Sequence, residues 1–535
     1  MKTMISSIIL ASCLALPLAS CSDSDVAPEQ KDWSTTTYFY SADAAMQDTY
    51  YKPTVGYVGD PMPFFDPVAG DFKVLYLQDF RPNPEGTYHP IWGVSTKDAA
   101  HYTSLGELVS CGTKKSQDAA IGTGSTIYDE ASKLYYTFYT GNKYLPTGDE
   151  SAQAVMVATS PDFKTWTKDR TFLLKGQDFG YDKNDFRDPF VFKGDDGKFH
   201  MLISTKKGGK GSLAEFVSDD LKNWTDNGVF MTMMWDRFYE CPDLFKMGDY
   251  WYLVYSEIHH AVRRVQYFKG RTLDELKVCT ANDVARWPDA HEGFLDSRGL
   301  YAGKTASDGT NRYLWGWCPT RSGKDNTAVG ASPAEPEWAG NLVCYKLIQH
   351  EDGTLTLGQI DAVSEKYNQD VAVEVKESQN MTEADGTYTL AGSVEQPDAY
   401  MLIGRLGSHN KISFTVTTSN EWDKFGISMV RGSDSKKYYT MVVNPENENN
   451  RKVNFEEQGV EGKGFIDGID GYVFARPADN VYNVTIYTDN SICVMYINDV
   501  CSYTNRIYGI QKNCWSINSY NGANVKVSNL KISQY

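Results

Sequence analysis

Positive charge is in short supply: 52 Lys and Arg face 69 Asp and Glu, a formal net charge of −17. A nucleic-acid partner needs clustered Lys and Arg, so that class of function is set aside. A neutral or cationic ligand, or solubility alone, fits the balance. Long apolar runs are also missing. Beyond the first twenty residues no stretch is long and apolar enough to cross a bilayer. No long amphipathic helix pattern competes for the body of the chain. Metal-type cysteine spacing is absent too. Of ten cysteines, Cys13 and Cys21 lie at the N-terminus; Cys111, Cys241, Cys279, Cys318, Cys344, Cys493, Cys501 and Cys514 are scattered without a C-x-x-C pair. A structural zinc site is therefore not expected, and several of these thiols read as small buried apolar groups. Nothing points to a redox cofactor, a nucleotide or a catalytic metal.

What the N-terminus does have is a targeting pattern. Lys2 supplies a positive start and Ile5 to Leu18 a short apolar stretch. Leu18-Ala19-Ser20-Cys21 resembles the bacterial lipobox, in which cleavage precedes the cysteine and its thiol is lipidated. The expectation is a signal peptide over 1–20, lipidation at Cys21 and a polar tether over 21–32. The chain would then be an exported lipoprotein, anchored to the outer membrane on its periplasmic face or at the cell surface rather than spanning it.

Aromatic residues are abundant at 13%, and they gather in short runs: 72–77, 134–139, 199–203 and 250–255. Tyr, Trp and β-branched residues favour strands. Each run follows turn chemistry, at 68–71, 129–132, 194–197 and 247–249, which reads as a series of hairpins. Asp60-Pro61, Asp188-Pro189 and Pro242-Asp243 each open such a unit, and units about 50 to 70 residues long are the signature of small antiparallel sheets repeated around a channel. Beyond 360 the aromatics thin out and the strands alternate more regularly, as at 411–416 and 481–487, which fits a β-sandwich. Residues 444–452 read as a long surface loop. The predicted fold is all-β, a five-bladed β-propeller over 33–360 followed by a β-sandwich over 361–535. Bracing, rather than carbohydrate binding, is the expected role of the sandwich.

Three acids stand out: Asp60 before Pro61, Asp188 before Pro189, and Glu240 two residues before Pro242. Proline disfavours helix in its predecessor and removes a donor, so each acid belongs at a strand end. Innermost strands of successive blades converge on one channel, so acids distant in sequence can face one another there. Breaking a glycosidic bond takes one carboxyl to protonate the leaving oxygen and another to attack the anomeric carbon or activate water.

These blocks resemble the signatures of glycoside hydrolase family 32, the β-fructosidases. The resemblance rests most on Arg187-Asp188-Pro189 and Glu240-Cys241-Pro242, and extends to Leu75-Tyr76-Leu77-Gln78, Trp92-Gly93-Val94, Gly122-Thr123-Gly124-Ser125, Leu295 to Ala302 and Leu314-Trp315-Gly316-Trp317. It implies Asp60 as nucleophile, Glu240 as general acid/base and Asp188 as transition-state stabiliser. Gln78, Trp92, Ser125, Arg187, Asp296 and Trp315 would contact an oligo- or polysaccharide, with Arg187 holding Asp188 ionised. The first block departs from the family: Gly59 stands where an Asn would hydrogen-bond the sugar, and Met62-Pro63 replace Asn-Gly. A lost donor weakens discrimination for the matching hydroxyl. The reading is a retaining fructosyl hydrolase. The alternatives are an inverting, family 43-like arabinosyl or xylosyl hydrolase and a catalytically silent glycan-binding lipoprotein.

Overall fold

The computed structural model describes residues 49–80, 88–233, 238–257, 264–278, 293–320, 338–430, 438–445, 452–458, 474–507 and 509–535. The leader, Cys21, the tether, Cys279 and most of the Asn-rich segment after Asn444 lie outside the described residues.

Five antiparallel sheets follow one another along the first two thirds of the chain. Blade I comprises Tyr57–Asp66, Asp71–Asp79, Ile91–Thr96 and Thr103–Val109. Blade II comprises Ala120–Asp129, Leu134–Asn142, Gln153–Ser160 and Thr167–Lys168. Blade III comprises Phe186–Lys193, Phe199–Lys207, Lys210–Ser218 and Thr225–Thr232. In blade IV the described strands are Glu240–Met247, Tyr250–Glu257 and Arg264–Gly270, and in blade V they are Tyr301–Ser307, Arg312–Pro319, Gly340–Gln349 and Leu355–Gly358. Blades V and I meet where Val58 pairs with Gly340, which closes the ring.

The local chemistry explains the hairpins. Asp66 accepts from the Val68 and Ala69 amides while Gly70 takes the left-handed conformation at φ +68°, an Asx-type turn. Asp129 does the same for Ala131 and Ser132, and Asp196 for Lys198.

The feature that positions the site is a bulge, and it occurs in the innermost strand of every blade. Pairing slips between Gly59 and Met62, between Gly122 and Gly124, opposite Leu202 to Ser204 at Asp188-Pro189, between Glu240 and Asp243, and between Tyr301 and Lys304. Four of the five place a non-glycine residue at positive φ: Asp60, Asp188, Cys241 and Ala302. A bulge inserts one residue and re-aims its side chain, here toward the shared axis.

The C-terminal unit is a sandwich of an eight-stranded and a six-stranded antiparallel sheet. His409–Thr418 in the larger sheet alternates strictly between half-buried and buried residues, the period of a strand with one face on a core. Phe414, Val416, Ile427, Met441, Ile486 and Trp515 meet between the sheets. A short helix, Asp361–Lys366, stands between the two units. Tyr487 and Tyr496 of the sandwich pack into the same apolar cluster as Trp315 and Tyr345 of blade V.

Candidate active site

The five bulges deliver two layers of side chains. The bulged position contributes Asp60, Asp188 and Cys241; the position before it contributes Arg187, Glu240 and Tyr301. Arg187, Glu240 and Tyr301 come from blades III, IV and V and bond in series, and the Cys241 amide of blade IV donates to Asp188 of blade III.

Asp60 is gripped by two donors. Thr123 of blade II donates its hydroxyl to Oδ2 at 2.7 Å, and the Trp317 indole N–H of blade V donates to Oδ1 at 2.9 Å. Burial pushes its carboxyl above the ordinary aspartate value, and the two hydrogen bonds oppose that push. Glu240 is held from both sides as well. Arg187 donates Nη2 to Oε1 at 2.9 Å and the Tyr301 hydroxyl donates to Oε2 at 2.6 Å. The Arg187 guanidinium lies 3.8 Å from the centre of the Phe238 ring, a cation–π contact that fixes its plane. Asp188 accepts from the Cys241 amide at 2.9 Å, and its own amide donates to Thr140 Oγ1. Burial drives its carboxyl up to about 7; Arg187 lowers it and Glu240 raises it, but desolvation dominates.

Arg187 acts on Asp188 through its charge, which favours the ionised carboxyl, and not through a hydrogen bond. Its hydrogen bonds go to Asp185, Gln153 and Glu240. Adjacent residues of a strand point to opposite sides, so the partner lies one blade over.

The remaining sequence candidates fall at different depths. Ser125 braces two blades, donating to the Pro189 carbonyl and accepting from the Val191 amide, both at 2.9 Å, and so supports the Asp188 corner from behind. Gln78 is fully buried, with Nε2 donating to the Val55 carbonyl. Trp92 packs edge-on against Phe80 and lies half-buried against the core of blade I. Trp315 is fully buried against Phe72 and donates to the Tyr102 hydroxyl. Asp296 faces away from the channel: it accepts from Ser297, from Ser502 Oγ, and from the amide and hydroxyl of Thr504 in the sandwich. Trp315 and Asp296 are buried with their polar groups bonded to protein, Gln78 is buried with its Oε1 unbonded, and Trp92 is half-buried with its indole N–H unbonded.

Thr123, Trp317 and Tyr301 are the partners that sequence reasoning passed over. Each lies inside a block that carries the resemblance, without having been singled out there as a site residue. Strand period alone could not choose between Trp315 and Trp317, which share a face; proximity to the bulge decides it.

The glycine at 59 also acquires a cause. A Cβ there would stand 2.2 Å from Cη2 of Trp338. That indole contacts Trp317 with centroids 6.2 Å apart and stacks on His89 at 4.3 Å. The Trp338 ring thus fills the space beside Asp60 that a side chain at residue 59 would take.

Comparison with known proteins agrees with this construction. The model described as "Glycosyl hydrolases family 32 N-terminal domain" matches residues 50–361, and that described as "GH32, BT1760-like, C-terminal domain" matches 353–532. A beta-fructofuranosidase, insoluble isoenzyme CWINV2 of Arabidopsis thaliana is 26% identical over 320 residues, covering 54% of this chain and 51% of that protein. The sucrose-6-phosphate hydrolase of Vibrio alginolyticus is 26% identical over 240 residues, covering 42% of this chain and 45% of that protein. The chain spans about half the length of these curated relatives. Among solved structures, exo-inulinase from Aspergillus awamori superposes with a TM-score of 0.67 at 15% identity, over 91% of this chain and 98% of that one. Sucrose-6-phosphate hydrolase from Lactobacillus gasseri gives 0.65 at 18% identity, over 92% and 94%. With one family model on the propeller and a second on the sandwich, the chain belongs to glycoside hydrolase family 32.

Proposed function

We propose that the protein is a retaining glycoside hydrolase that cleaves fructosyl linkages of a fructan or related oligosaccharide. The observation that carries this reading is the convergence of Asp60, Asp188 and Glu240 on one channel, with the first and last each held by two donors. A fructan 1-exohydrolase of Cichorium intybus, known in complex with 1-kestose, shares the fold with a TM-score of 0.66, which supports a fructosyl substrate.

In the first step Glu240 gives its proton to the glycosidic oxygen while Asp60 attacks the anomeric carbon. The leaving alcohol departs and a fructosyl ester forms on Asp60. Arg187 and Tyr301 then stabilise the carboxylate that Glu240 has become. In the second step that carboxylate takes a proton from water, the hydroxide attacks the same carbon and Asp60 is released. Thr123 and Trp317 orient Asp60 and favour its charged form despite burial. Asp188 holds sugar hydroxyls as the ring flattens. Retention of this kind works with the two carboxyls roughly 5–5.5 Å apart.

The lipobox-like Leu18 to Cys21 supports an exported lipoprotein on the outer membrane, where it would meet polysaccharide. A reducing-sugar assay against levan, inulin, sucrose, arabinan and xylan, with Asp60→Asn as control, tests the substrate. Activity on levan, inulin or sucrose is expected, and hydrolysis of none of those three would sink the fructosyl reading. Following the product anomer by NMR during the first turnovers tests retention; the opposite anomer would point to an inverting enzyme.

A further inference from the structure

Lys304 lies two residues past the blade V bulge and is only 2% exposed. Its Nζ donates to the Gly124 carbonyl at 2.9 Å and stands 5.2 Å from the centre of the Phe190 ring. Cys241, Asp243, Asp188 and Asp60 surround it from blades I, III and IV. An ammonium is expensive to bury without carboxylates and acceptors around it. Burial pulls it below the ordinary lysine value, while those four groups oppose the pull.

The carbonyl that Lys304 holds is well chosen. Gly124 follows Thr123, whose hydroxyl donates to Asp60. Gly124 is itself locked, since a Cβ would lie 1.8 Å from the Phe138 carbonyl oxygen. On the same strand as Lys304, Tyr301 donates to Glu240 and the Thr305 amide donates to Asp243 at 2.6 Å. One strand of blade V thus reaches the acid/base directly and the nucleophile through the Thr123 corner. The other cations near Asp60 and Asp188 direct their hydrogen bonds to other groups. Arg187 bonds Asp185 and Glu240, while Arg312 bonds Thr305 Oγ1 and lies over Phe245.

We infer that Lys304 is a positioning residue for the nucleophile: it fixes the Gly124 carbonyl, and with it the Thr123 hydroxyl on Asp60, and places a buried positive charge that opposes the cost of ionising the acids around it. It touches no substrate. The inference rests on the reading of Asp60 as nucleophile.

Lys304→Met keeps the bulk and removes the charge. Its expected result is a kcat at least tenfold lower with KM changed less than threefold. The acid limb of kcat/KM against pH should move upward by about one pH unit, because the carboxylates lose their counter-charge. Lys304→Arg should keep the limb near its wild-type place. Thr123→Val combined with Lys304→Met should cost less than the sum of the two single changes, since both act on one corner. A folded Lys304→Met with an unmoved acid limb, or full additivity with Thr123→Val, would overturn the proposal. A readout independent of turnover accompanies these. The melting-temperature deficit of Lys304→Met should widen from pH 5 to pH 8, whereas a packing role alone gives a constant deficit and overturns the proposal. Wild-type protein inactive on every fructosyl substrate would overturn the hydrolase reading, and the melting comparison would still decide the place of Lys304. If Lys304→Met does not fold, Lys304→Gln against Lys304→Arg makes the same comparison, and identical behaviour of the two overturns it.

Discussion

Asp188 is 4% exposed, and its carboxyl is pushed up to about 7 by burial, with the Arg187 charge too weakly placed to reverse that. The folded protein therefore binds this proton more tightly than the unfolded chain does. Its contribution to stability is complete below the unfolded carboxylate value of about 4 and is lost as pH rises through about 7. Asp188→Asn removes the ionisation, so it should melt above wild type at pH 8 and close to it at pH 4, while losing activity; differential scanning calorimetry across that range checks the sign. Such a trade of stability for activity is common at sites built from buried charge. Asp60→Asn and Glu240→Gln should each lower kcat on the order of 10²–10⁴-fold or more with the fold intact, measured on fructosyl substrates and by circular dichroism. At this scale the three acids were legible because each precedes a proline within two residues; Glu240 opens its strand as expected, whereas Asp60 and Asp188 sit at bulges inside theirs. Thr123, Trp317 and Tyr301 were not, because a hydroxyl or indole acquires its role only from the carboxylate that another blade brings to it.

Strands and turns were legible for a different reason. Period-two patterning and Asx-type turns are local, and Asp66, Asp129 and Asp196 close their hairpins with bonds to neighbours two or three residues on. The bulges were not legible. Asp60, Asp188, Cys241 and Ala302 adopt positive φ without being glycine. Each such residue costs on the order of 1–3 kcal/mol, borne only because the surrounding sheet over-determines it. Nothing in the local sequence announces that strain. The strand carrying Asp60 also shows why one substitution should be intolerable. Gly59→Asn restores the amide that the family resemblance leads one to expect, yet its Cβ would strike Trp338. The expected outcome is a fall of at least tenfold in kcat/KM, with partial recovery in Gly59→Asn/Trp338→Ala, read from steady-state kinetics of the four proteins in the cycle.

The two domains are held as one body by buried polar groups rather than by apolar contact alone. Arg506 of the sandwich, 2% exposed, donates to the Pro319 and Cys318 carbonyls and to Asn341 of blade V. Asp296 returns the favour, accepting from Ser502 and Thr504. Next to it Gly299 lies so close to the sandwich that a Cβ would stand 2.0 Å from the Thr504 carbonyl oxygen. Asp296→Ala removes the acceptor of four buried donors, a loss of about 3 kcal/mol or more. It should lower the melting temperature and split a single unfolding transition into two, as calorimetry would register; an unchanged single transition would remove Asp296 from the inter-domain brace. At the far N-terminus, Cys21→Ser should release the protein from the membrane fraction, checked by fractionation and metabolic lipid labelling.

The sequence by itself determined the all-β character, the sheet-by-sheet repeat, the change of architecture near residue 360 and the identity of the three acids. All of these are written in local periodicity, turn chemistry and short motifs. Only the tertiary structure decided which residues serve the acids. It put the Arg187 hydrogen bond on Glu240, set Trp317 rather than Trp315 against Asp60, and bonded Asp296 to Thr504 at the domain junction. The physical reason is the same in each case. Register across a bulge, and the convergence of five separate blades, set which side chain meets which, and neither is encoded in the few residues around any one of them.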